Sequence, residues 1–196
     1  MGQRALRNSA LSYIVALDDK SATELAYKQF SEATNMTSEI AALSLLVDTQ
    51  GEHKEKAVQS FYKKWKDQTL VMQKWLMIQG SSALPGTLST VKKLEGDAVY
   101  DKSVPNLVRS LIGSFSRNHT NFHAKDGSGY KFIADQILEI DKINPQMAAG
   151  LSRAYKDFKR LPADAKAQMK PELERILATP KLSKNTFEIV SKTLNL

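Results

Sequence analysis

The chain has 196 residues, is 42% hydrophobic and 25% charged, and carries a formal net charge of +7, the balance of one compact domain or of a module from something larger, which excludes a disordered chain. Cysteine is absent, which excludes disulfides and thiol chemistry, and no stretch approaches the ~20 apolar residues a membrane-spanning helix needs. The opening MGQRALRNSA has no apolar run of signal-peptide type and has Leu6 where a myristoylation signal has Ser or Thr, so a cytoplasmic location is the expectation.

Apolar spacing is helical nearly throughout, and no run alternates as a strand would. It predicts eleven helices, near 3–17, 21–33, 37–50, 53–67, 69–80, 85–95, 105–117, 128–142, 145–159, 164–178 and 183–194. The second opens on Ser21-Ala-Thr-Glu24, a capping-box pattern in which serine and glutamate satisfy each other's free backbone N–H groups. The third carries Ile40, Leu43, Leu46 and Val47 on one face. The fourth and fifth bring Phe61, Tyr62, Trp65 and Trp75 together as an aromatic cluster, with base stacking as the functional alternative. The fifth, through Leu70-Val-Met-Gln-Lys-Trp-Leu-Met-Ile78, is apolar on almost every side and is expected to be surrounded by neighbours, either inside the fold or against a further domain.

The seventh helix opens at Ser103 or Val104 before Pro105, and the ninth at Asn144-Pro145, a capping side chain ahead of proline at the first helical position. The eighth carries Ile133, Ile137, Leu138 and Ile140 inward. Pro171 is expected to kink the tenth helix or restart it. Ser183 caps the last, which carries Phe187, Val190 and Leu194. Short links imply antiparallel neighbours. The expected fold is all-α, an irregular superhelical stack of antiparallel helix pairs forming one domain over 1–196.

Charge is uneven: residues 1–98 carry 12 basic and 11 acidic side chains, net +1, and residues 99–196 carry 16 and 10, net +6. A basic half suits either an ordinary soluble surface or an acidic partner. His119 and His123 stand four apart, a spacing that can hold a metal, but Thr-Asn-Phe between them supplies no glutamate and the neighbourhood reads as a loop, so structural or surface roles are preferred. His53 is expected to be exposed. Asp126-Gly-Ser-Gly-Tyr130 leads into a helix and could cradle an anion. Without a preceding strand, the preferred reading is an aspartate cap with two glycines that let the chain turn closely. No nucleophile–base arrangement or phosphate loop is present, and no metal site is expected in this chain.

Several stretches, in order along the chain, are similar to one family: Arg4-Ala-Leu-Arg-Asn8, Lys28-Gln-Phe30 with Ala33-Thr-Asn-Met-Thr37, Trp65 through Trp75, Pro105-Asn106 with Arg109-Ser-Leu-Ile-Gly113, Phe122-His123 with Asp126-Gly-Ser-Gly-Tyr130, and Asn144-Pro-Gln146. Together they resemble the C-terminal helical domain of bacterial aminopeptidase N, a zinc-dependent aminopeptidase of the gluzincin class. The resemblance implies a non-catalytic last domain, preceded by Met1 as an added initiator. Its partners would be the catalytic and other N-terminal domains of the same enzyme and, through them, peptide substrates, rather than nucleic acid or membrane. Zinc would belong to the catalytic domain, with no cofactor in this chain.

The family's domain closes over the catalytic domain and encloses the substrate chamber. Two of its cavity-facing positions match here, Arg109 and Gln146. Four residues past that glutamine, where relatives can carry a second arginine, stands Gly150. On the residues alone, Arg109 also reads as an ordinary ion-pairing arginine. The alternative for the whole chain is a helical-repeat module that binds nucleic acid or protein.

Overall fold

The computed structural model describes residues 2–195; Met1, the expected initiator, lies outside them. Among the described residues there are twelve α-helices and no strand: α1 (Gly2–Val15), α2 (Lys20–Ser31), α3 (Met36–Val47), α4 (Glu52–Trp65), α5 (Thr69–Gly80), α6 (Thr87–Leu94), α7 (Pro105–Phe115), α8 (His119–Phe122), α9 (Ser128–Asp141), α10 (Pro145–Ser152), α11 (Ala163–Leu177) and α12 (Lys184–Leu194). Many pack on their neighbour and next neighbour in sequence, as in α1 with α2 and α3, α5 with α6 and α7, and α9 with α10 and α11. That is the pattern of a helical solenoid, in which burial is shared between adjacent units. The closely packed helix pairs fall either within α1–α7 or within α8–α12. The two groups are bridged by an edge-to-face contact of Phe115 with Phe132, centroids 5.3 Å apart, and by the buried Asn118, whose amide donates to the carbonyls of Gly80 (3.3 Å) and Ser82 (2.6 Å).

The helical faces are largely those of the sequence. Leu43 and Leu46 in α3, and Ile133, Ile137 and Ile140 in α9, are fully buried, with Ile40 and Leu138 packed at the edge. The aromatic cluster forms: Tyr62 lies 5.1 Å from Trp75 and Phe61 6.3 Å from Trp65. Trp75 is buried and its indole N–H donates to the Val58 carbonyl, so its face is closed to a base. Gly80 lets α5 and α7 approach until a Cβ there would stand 2.8 Å from the Leu111 carbonyl oxygen.

Five expectations are corrected. The Ser21–Glu24 box does not form: α2 begins a residue earlier, on Asp19, whose carboxylate accepts from the Ala22 N–H and the Ser21 hydroxyl. A carboxylate at the N-cap satisfies the free N–H directly and suits the helix dipole, so it displaces the serine. Of the two readings of the α5 segment, enclosure inside this fold does not hold, since Leu70 and Met77 face outward; these residues fit the other, a face toward a further domain. An unexpected turn of helix, α8, forms over His119–Phe122 because Asn118 caps it, accepting from the Asn121 N–H. The helix expected over 145–159 stops at Ser152 and tightens into 3₁₀ turns at Arg153–Tyr155 and Phe158–Arg160, which accompany the full burial of Tyr155, its hydroxyl donating to the Tyr130 carbonyl at 2.6 Å. Phe187 is exposed, and Thr186 takes the buried position at the start of α12.

α11 runs through Pro171 without a restart. Capping by Asn144 and Ser183 is as expected, through the Met147 and Thr186 N–H groups.

Candidate functional site: a basic groove between α7 and α10

Arg109 and Gln146 come to one groove of about 670 Å³, together with Gly150. Pro105 starts α7, which puts Arg109 in its second turn, where Nη1 donates to Asn106 Oδ1 at 3.0 Å. Asn144 and Pro145 start α10 so that Gln146 is its second residue and Gly150 lies one turn on. All three are exposed, and a Cβ built on Gly150 would meet nothing within 4 Å. The floor is apolar, made by the buried Val108, Phe122, Met147, Leu151 and Met169.

Sequence reasoning did not find the remaining cations of the lining, and gave its two histidines structural or surface roles. Arg117 follows α7, Arg153 and Lys156 come from the first turn after α10, and His119 and His123 come from α8 and its end. The signal was the +6 of the second half, but the spacings 109, 117, 153 and 156 have no period and only the fold gathers them. Among the described residues, no carboxylate lies within 4 Å of Arg109, Arg117, Arg153 or Lys156. The single carboxylate of the groove, Asp157, is exposed and faces Arg160 at 3.8 Å.

The two histidines stack, with ring centroids 5.7 Å apart. His123 Nδ1 lies 2.8 Å from the hydroxyl of the buried Tyr130. Burial, and then the neighbouring His119, hold His123 below the ordinary histidine range, and burial raises the Tyr130 phenol. Both are therefore neutral near pH 7, and Nδ1 can accept the phenolic proton. Among the described residues no three His, Cys, Asp or Glu side chains come together as metal ligands.

The 126–130 stretch turns on its glycines as expected, but the cap of α9 is Gly127 and not an aspartate; Asp126 stands one residue before it. Asp126 accepts from the N–H and hydroxyl of Ser128 at 3.0 and 2.7 Å, Gly127 has φ +71°, and Gly129 presses on the 121–122 backbone. Its first N–H group is thus already bonded. His53 is half-buried, not exposed, and stacks on Tyr27 at 4.5 Å. Among the described residues no helix is long and apolar enough to cross a membrane.

The groove can grip anions and carbonyl groups through guanidinium, ammonium and amide donors over an apolar floor. A family model described as "Domain of unknown function (DUF3458_C) ARM repeats" matches residues 1–195. Aminopeptidase N of Caulobacter vibrioides is 38% identical over 98% of this chain, and that of Escherichia coli 36% identical over 99%, in each case across 22% of the relative's length. The chain thus spans about a fifth of the curated relatives it matches. Among solved structures, Legionella pneumophila aminopeptidase A, determined in complex with aspartic acid, superposes with a TM-score of 0.92 at 32% identity, over 99% of this chain and 23% of that one.

Proposed function

Because the chain belongs to the DUF3458_C family of ARM-repeat domains, with bacterial aminopeptidases N among its similar proteins, we propose that it is the non-catalytic C-terminal domain of a cytoplasmic zinc aminopeptidase. In this role it caps the catalytic domain, encloses the substrate chamber and controls peptide access. Zinc binding and bond cleavage belong to the catalytic part. The observation that carries the reading is that Arg109, Gln146 and Gly150, 41 positions apart at their extremes, share one groove with an apolar floor.

An aminopeptidase holds its substrate by the amino end, so the rest of the peptide points away from the metal. A wall that offers Arg109 and Gln146 bonds peptide carbonyls or a terminal carboxylate at that distance. Both sit near helix starts, where free N–H groups and the dipole favour the same partners.

The test replaces the matching segment of Escherichia coli aminopeptidase N with this chain and measures kcat/KM on di-, tri- and tetrapeptides. Arg109→Ala is expected to leave single-residue amide substrates nearly unchanged. It should cost the longer peptides about 1.5–3 kcal/mol of charge-assisted bonding, roughly ten- to a hundredfold. Gln146→Ala should cost less, since its bonds are neutral. An equal loss at every length, or a loss that tracks thermal unfolding, makes Arg109 structural and overturns the reading.

A further inference from the structure

The α7 side of the groove has an arrangement that folding alone does not favour. Arg109, Gly113 and Arg117 stand at i, i+4 and i+8, one stripe of the helix face and the residue just past its end. A Cβ on Gly113 would lie 3.5 Å from Arg117 Nη1 and 3.9 Å from Arg109 Cβ. The Arg117 guanidinium thus lies back over the helix at Gly113, on the Arg109 side, with no carboxylate to separate the two. Like charges along one helix face are destabilising. Across the groove Arg153 and Lys156 repeat the pattern at i and i+3.

Two cations of the same half that lie outside the groove are held by pairs of carboxylates. Arg175 binds Asp135 at 2.7 Å and Glu172 at 2.6 Å, and Lys102 binds Glu95 at 3.1 Å and also Glu139. In the groove, four cations face one carboxylate, Asp157. A concave wall over apolar side chains focuses such a field, and the planar fork of arginine matches a carboxylate.

We propose that Arg117, Arg153 and Lys156 form an anion subsite, separate from Arg109 and Gln146, that takes a carboxylate carried by the peptide in this groove, either the C-terminal carboxylate or a downstream Asp or Glu side chain. The proposal rests on the chamber-wall reading and adds a selectivity to it: negative charge away from the amino end is favoured. Such a ligand supplies the counter-charge that the chain itself lacks here.

The test uses the 196-residue chain and four alanine-based tetrapeptides, followed by ¹⁵N chemical-shift titration at low and high salt. One peptide has an internal glutamate and an amidated end, one has no glutamate and a free C-terminal carboxylate, one has both, and one has neither. Each carboxylate is expected to tighten binding roughly three- to tenfold over the neutral peptide, less at high salt. The first two peptides distinguish the source of the carboxylate. Arg117→Gln, and separately Arg153→Gln with Lys156→Gln, should abolish the charge preference while residual binding of the neutral peptide persists. Equal affinity for charged and neutral peptides, or a preference unchanged in these exposed-site variants, overturns the proposal. So does a single-stranded oligonucleotide that outcompetes the doubly charged peptide. The outcome is separable from the chamber-wall test: length dependence on Arg109 can fail while charge preference holds, and the reverse.

Discussion

Gly129 and Gly150 are the same residue in opposite surroundings. At Gly129 a Cβ would stand 2.4 Å and 2.5 Å from the carbonyl oxygens of Phe122 and Asn121, backbone atoms that cannot step aside. Gly129→Ala is therefore expected to destabilise by roughly 3 kcal/mol. Gly150→Ala fills open space within α10 and should stabilise by about 0.5–1 kcal/mol through helix propensity. Urea unfolding of both variants checks the contrast. His123 gives a pH dependence of definite sign. Its folded-state pKa lies below the ordinary 6.5, through burial and then through His119, so the unfolded chain takes up the proton first. Its contribution to stability is complete above about pH 6.5, falls as the pH drops below that value, and levels off once the folded imidazole also titrates. His123→Gln, which keeps a partner for the Tyr130 hydroxyl, should flatten that part of the stability–pH curve, measured by denaturant melts from pH 8 to 5.

At the scale of elements, most of the fold was readable because most helices carry an apolar face of their own and several carry a local start signal. Asn144-Pro145 and Ser183 act locally, so sequence suffices for them. The misses have the opposite character. α8 has a local cap in Asn118, but that side chain is itself fixed by carbonyls of Gly80 and Ser82, 38 and 36 positions away. The early end of α10 accompanies Tyr155 reaching the Tyr130 carbonyl. Neither partner can be seen from within the segment. The same non-local logic ties down α12. The buried Asp141 at the end of α9 accepts from the Ser183 N–H at 2.9 Å and from the hydroxyls of Ser183 and Thr186 at 2.5 Å each. Asp141→Ala leaves those donors without an acceptor and removes the anion from the α12 N-terminus. The expected loss is roughly 3 kcal/mol, with hydrogen exchange quickening first in α12.

At the scale of the molecule, the groove was legible in part. Arg109, Gln146 and Gly150 came from family resemblance, while Arg117, Arg153 and Lys156 were individually unremarkable surface cations until two distant helices met. That meeting falls across the junction between α1–α7 and α8–α12. Arg109 and Arg117 ride on the first group, and Gln146, Arg153 and Lys156 on the second. Asn118→Ala, which deletes one of the two amides bridging the groups (the other, Asn121, donates to the Ser82 carbonyl at 3.1 Å), should cost about 2 kcal/mol and broaden the distance distribution between spin labels placed on α4 and α11, outside the groove. The junction makes the spacing of the two cationic walls a mechanical coordinate of the whole stack. A change at that junction alters the span between the charges of the two walls, much as the grip of tongs is set at the pivot rather than at the tips.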